Sequence, residues 1–143
     1  MKRILTGSRA FFSGMEGFHP HDSDYIEIVE PKDVDFYYKN CKKEGTDCIF
    51  QNVRRPKDKR IRWALKYENP MSLCNFLIPE FAREFNITIE DLETLRPMRD
   101  MLDRRHQYLG VIYDAYIANG DFTLTDEQRQ TAFDEYTKER TRQ

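Results

Sequence analysis

Apolar and polar positions follow two different periods along this chain. In the first third, short runs alternate with period two, the mark of half-buried strands. Arg3-Ile4-Leu5-Thr6 is one such run, and it stops at Gly7-Ser8. Ser8 is placed to cap a short helix over Arg9-Ala10-Phe11-Phe12. Gly14, Gly17 and Pro20 then predict a loop from Ser13 to His21. Tyr25-Ile26-Glu27-Ile28-Val29, β-branched and alternating, is the strongest strand signal and ends before Pro31. A helix is predicted over Asp33 to Lys43 with Gly45 as its stop, followed by a third strand over Cys48 to Val53.

From Ile61 onward the period changes to that of helices. Trp63-Ala64-Leu65 belongs to a first helix, broken near Asn69-Pro70. Met71, Leu73, Cys74, Leu77, Ile78 and Phe81 carry the three-to-four spacing of a buried face, with Pro79 as a kink. Thr88 and Asp91 have the spacing of a capping box. Pro97 opens a longer helix whose stripe is Met98, Met101, Leu102, Leu109, Ile112, Tyr113 and Tyr116. Asn119-Gly120 ends it, and Thr125 caps a final helix from Asp126 to about Lys138, with a frayed, charged tail beyond. The pattern predicts an α+β fold in one domain, residues 1–143. A small α/β core spans 1–60 and a helical part spans 61–143.

Composition narrows the function classes only a little. With 143 residues the chain is long enough for a real core, and 10 Phe with 8 Tyr exclude a disordered polar chain. Lys+Arg 23 against Asp+Glu 25 leaves a net charge of -2, so no global charge draws the chain to nucleic acid or anionic lipid. A mean hydropathy of -0.80 fits that polar surface. No apolar run approaches the roughly 18 residues of a membrane span, and the start lacks the apolar region of a signal peptide. The expectation is a cytoplasmic protein without membrane contact. Cys41, Cys48 and Cys74 form no metal-binding spacing and read as reduced thiols.

Local charge is more informative than net charge. Arg54, Arg55, Lys57, Lys59, Arg60 and Arg62 stand against Asp58 alone, a pattern suited to phosphate contact or to a solvated helix start. Aromatic residues do not interleave closely with these charges, so no stacking platform is read from the segment. Asp103 and His106, three apart on a predicted helix, share a face and could orient a histidine as a base. His19 and His21 flank Pro20 on the predicted loop.

The sharpest signal lies between Gly7 and Val29. A strand, then Gly7-Ser8-Arg9-Ala10, then a loop and Asp22-Ser23-Asp24-Tyr25 entering a strand would bring backbone N–H groups and carboxylates together around a metal-bound phosphate. Here the chain resembles the nucleotidyltransferases of the DNA polymerase β superfamily. Their hallmark is a Gly-Ser turn, often continued as Gly-Ser-Arg-Ala, followed by Ser-Asp-x-Asp leading into a strand. The resemblance extends over roughly the first thirty residues.

It implies a nucleoside triphosphate with Mg²⁺, held by Gly7, Ser8 and Arg9 on the phosphates and by Asp24 with Asp22 as catalytic metal carboxylates. Asp47, before the third strand, is the candidate for a third carboxylate, and Arg54, Arg55, Lys57 and Lys59 for neutralising phosphate charge. A helical protein partner is also implied. Ile26 departs from the pattern, because the second metal carboxylate is expected there. Three readings stay open. They are an active nucleotidyltransferase, a degenerate member that binds nucleotide, nucleic acid or protein without turnover, and an interaction module of another lineage.

Overall fold

Three short strands form one mixed sheet in the computed structural model, which describes residues 2–20, 23–29, 32, 47–52, 57–67 and 70–141. Strand β1 (Lys2–Thr6) pairs antiparallel with β2 (Asp24–Val29), and β2 pairs parallel with β3 (Asp47–Asn52). The predicted helix over Asp33 to Lys43, between β2 and β3, lies outside the described residues. The fold is α+β, with a sheet near the N-terminus and helices through the remainder. Its chain divides into two compact units, Met1–Pro56 and Lys57–Gln143.

Strand alternation builds the core of the first unit. Ile4 and Ile26 are register partners and both are fully buried, as is nearly all of Ile28 two residues on. Helix α1 (Gly7–Phe12) packs on β1 and β2 and buries Phe11 and Phe12. Phe18, from the following loop, meets Phe12 edge-on with ring centroids 6.0 Å apart. Each fully buried side chain of this size contributes about 1.5–3 kcal/mol. Thr6, extended and buried, stands at the helix N-cap; the Ser8 cap expected from the sequence is replaced by a helix that begins two residues earlier, at Gly7.

The second unit is helical throughout. Helix α2 (Lys57–Tyr67) is followed by a 3-10 turn at Pro70–Ser72 and by α3 (Leu73–Phe76). Next come α4 (Pro79–Phe85), α5 (Ile89–Thr94) and α6 (Arg96–Asp100). A 3-10 turn at Arg104–His106 leads into α7 (Gln107–Asn119), which packs against α8 (Asp126–Thr141). No helix among the described residues is long and apolar enough to cross a membrane. Leu73, Leu77, Leu92, Leu95, Leu109, Ile112 and Tyr113 are fully buried. Tyr113 donates its hydroxyl hydrogen to the Leu92 carbonyl, so the polar end of a core ring is satisfied.

Several sequence expectations change here for local reasons. Pro79 starts a new helix at its first position instead of kinking an old one, with Ile78 extended before it. The long helix predicted from Pro97 is two helices, broken at Met101 to Asp103. There the Gln107 side-chain amide donates to the carbonyls of Leu102 (2.7 Å) and Asp103 (3.2 Å). Side-chain donors thus replace the backbone ladder. Met101 accordingly leaves the apolar stripe and is 68% exposed, and Met71 is exposed as well. From Lys138 to Thr141 the charged stretch is helical instead of frayed, and Arg104 Nε holds buried Glu139 at 2.9 Å; Arg142 and Gln143 lie outside the described residues. Arg140 lies 3.7 Å over the Tyr136 ring.

Helix starts are fixed by reciprocal side-chain bonds. Thr88 Oγ1 accepts from the Asp91 N–H at 3.2 Å, and Asp91 Oδ2 accepts from the Thr88 N–H at 2.8 Å. Thr125 and Gln128 repeat the device at α8, with distances of 2.9 and 3.1 Å. Thr88→Ala removes one acceptor from an otherwise orphaned N–H and should lower unfolding free energy by about 1 kcal/mol. Urea denaturation followed by circular dichroism checks this; an unchanged midpoint would show that the cap contributes nothing.

Candidate functional site

β1 and β2 end and begin beside each other. Thr6 is the register partner of Asp24, so the residue that leaves β1, Gly7, is delivered to the head of β2. Gly7 has φ +72, in the left-handed region that glycine enters without cost. A Cβ built on it would stand 2.8 Å from Asp24 Oδ2. A side chain at position 7 would need the Asp24 carboxylate to shift, and the left-handed φ disfavours it further. Asp24 is half-exposed, at the rim of the sheet. Ser8 and Arg9 follow on α1, both half-exposed. The Arg9 carbonyl accepts from the Ser13 N–H at 3.2 Å, which closes the helix.

On the other side of Asp24 is β3. Asp47 is in register with Asp24, so Thr6, Asp24 and Asp47 form one row across the three strands. Thr6 and Asp24 in that row share a face of the sheet. Ile26 stands two residues after Asp24 on that face, fully buried beside its partner Ile4. The position expected for a second carboxylate belongs to the core. Glu27 turns to the opposite face, where it is buried and its Oε1 lies 2.5 Å from Nε of its register partner Arg3. Arg3 also lies 5.0 Å over the Tyr25 ring. Glu27 is a paired structural carboxylate, buried because its charge is answered.

Asp22, Arg54 and Arg55 lie outside the described residues, as do His21 and Cys41. His19 is exposed on its loop, and Cys74 is a buried free thiol. Among the described residues, no group of three or more His, Cys, Asp or Glu side chains is gathered for a metal ion. A paired-cation arrangement lacks its ligand at Ile26.

The remaining candidates sort by their contacts. Lys57 Nζ is 3.3 Å from Asp91 Oδ2, an ion pair within the helical unit. Lys59 is exposed. Asp103 Oδ1 and His106 Nδ1 are 2.6 Å apart, but they flank a 3-10 turn and not a long helix. The hydrogen bond from His106 holds the Asp103 carboxyl below its ordinary value. Since the His106 N–H also donates to the Asp103 carbonyl at 3.1 Å, the pair closes a turn.

One residue escaped the sequence reading. Trp63 is 45% exposed and shares a face of α2 with Lys59, Arg62 and Lys66. The signal was present as helical spacing across 59, 62–63 and 66. The expected helix start at Ile61 instead of Lys57 left Lys59 off that face.

Compared with known protein families, curated proteins and solved structures, the chain has no match in any of the three.

Gly7→Ala forces an L side chain into left-handed backbone and drives a Cβ into the Asp24 carboxylate. Gly14, with φ +86, has open space where its Cβ would stand. Gly14→Ala should cost about 1–2 kcal/mol from backbone strain alone, and Gly7→Ala clearly more. Thermal unfolding of the two variants side by side reads the difference. Equal losses would mean that the approach of Gly7 to Asp24 carries no constraint.

Proposed function

We propose that the N-terminal unit is a nucleotidyltransferase-like site that binds a nucleoside triphosphate with one Mg²⁺ and transfers nucleotidyl groups poorly or not at all. The observation that carries this reading is the close approach of Gly7 to the Asp24 carboxylate at the end of β1. It puts bare backbone beside a carboxylate, the combination that a metal-bound phosphate needs on its two sides. Gly7 and Ser8 would face the phosphates, with Arg9 adding positive charge from the same helix. Asp24 would hold the cation, with Asp47 from the neighbouring strand. Mg²⁺ supplies neutralisation of phosphate charge when bound.

Two further arguments support the reading. Asp24 and Asp47 are register partners on neighbouring strands, so two carboxylate-bearing positions start β2 and β3 together. The alternation Asp24, Ile26, Ile28 leaves a single carboxylate on this face of β2, so activation of an attacking hydroxyl by a second cation loses its ligand. Binding survives that loss, whereas chemistry that relies on two cations does not.

A thermal-shift series with ATP, CTP, GTP and UTP tests the proposal, each with Mg²⁺ or with EDTA. A nucleotide at ~100 times its Kd should add about 2.7 kcal/mol, a rise of several degrees for a chain of this size. The rise should need Mg²⁺ and should vanish in Asp24→Ala. A shift that ignores EDTA and survives Asp24→Ala would overturn the reading.

A further inference from the structure

Helix α2 carries Lys57, Lys59, Arg60, Arg62 and Lys66 against Asp58 alone, and the structure divides these cations into two groups. Arg60 is buried with its guanidinium 3.8 Å over the Phe85 ring, and Lys57 pairs with Asp91. Both serve the packing of the helical unit. Lys59, Arg62 and Lys66 are exposed. At 100° per residue they fall with Trp63 in a stripe roughly 100° wide, opposite the buried stripe of Arg60, Ile61 and Ala64. Lys59 and Lys66 are separated by roughly 10 Å along the axis at 1.5 Å per residue. An indole that is 45% exposed therefore sits within a row of three cations.

We propose that this face of α2 binds single-stranded nucleic acid, with Lys59, Arg62 and Lys66 on backbone phosphates and a base stacked on Trp63. Charge complementarity selects an anionic partner, and the indole selects one with an accessible planar face. An unpaired strand offers both in alternation along its length. A duplex hides its base faces. An anionic membrane fits less well, because an interfacial helix needs a broad apolar face, and with Ile61 and Ala64 in the core Leu65 is a lone exposed aliphatic among the described side chains of the helix. An acidic peptide would answer the cations and leave the indole in water. This surface belongs to the helical unit and does not depend on the nucleotide site proposed for the first unit.

Trp63 is the single tryptophan of the chain, so its emission reports on the stripe alone. The test is titration of the full chain with a short oligouridylate at low salt, followed by tryptophan emission and by the anisotropy of a labelled copy. Binding should quench the emission, and log K should fall against log salt with a slope of about -2, from three phosphate contacts at roughly 0.7 each. Lys59→Glu combined with Lys66→Glu should weaken binding at least about tenfold, and Trp63→Leu by roughly the same factor. All three positions are exposed, and unchanged circular dichroism would confirm that the variants fold. Asp24→Ala should bind as the parent does, which separates this surface from the nucleotide site. Unchanged emission at saturating oligonucleotide would overturn the proposal. So would variants that bind like the parent, equal affinity for a duplex of the same length, or capture by anionic phosphatidylserine vesicles or polyglutamate in preference to the oligonucleotide.

Discussion

Gly7 is the point on which the first unit turns. The chain must leave β1, reverse into α1 and clear the carboxylate at the head of β2, all within one residue. A left-handed φ of +72 and the absence of a Cβ make that possible. This contact brings Asp24 to backbone, and the parallel register of β2 with β3 makes Asp47 its neighbour in the sheet. The register explains why the site is a partial one. Ile4, Ile26 and Ile28 hold the sheet to α1 from the face that also presents Asp24, so the strand gives its next inward position to the core. A carboxylate at position 26 would be buried with no partner and would cost several kcal/mol.

The helical unit solves a different problem. Four of its helices have 4 to 7 residues, and isolated helices of that length are unstable in water. Packing and caps supply what length does not. Phe76, Phe81 and Phe85 form a chain of ring contacts, with centroids 5.7 and 4.7 Å apart, and Arg60 closes it from α2. Burial pushes the Tyr116 hydroxyl above its ordinary range, as expected of a ring that is neutral and packed. Charged residues are drawn inward only with partners, as Glu139 with Arg104 shows.

The sequence made the strands legible because alternation over Arg3 to Thr6 and Tyr25 to Val29 has no helical counterpart. Caps were legible for a similar reason: Thr88, Asp91, Thr125 and Gly120 act through neighbours within four residues, and local signals survive without knowledge of the fold. Breaks in the helices were not legible. The interruption at Met101 depends on Gln107 reaching back to two carbonyls, and the docking of the last turn depends on Arg104, thirty-five residues away from Glu139. Spacing gave Gly7, Ser8 and Asp24 as neighbours by resemblance to a motif, while the row joining Asp24 to Asp47 is a matter of strand register, which hydrophobic pattern specifies only once the partner strand is known. Trp63 was read as part of the first helix, but a helix start four residues too late left Lys59 outside its face.

The most direct test of the central claim is paramagnetic broadening of backbone amide signals by Mn²⁺, added with a non-hydrolysable nucleoside triphosphate to the labelled full chain. The account predicts that broadening begins at Gly7, Ser8, Asp24 and Asp47 and is lost in Asp24→Ala. Broadening centred on carboxylates of the helical unit, or none at these four amides, would contradict it.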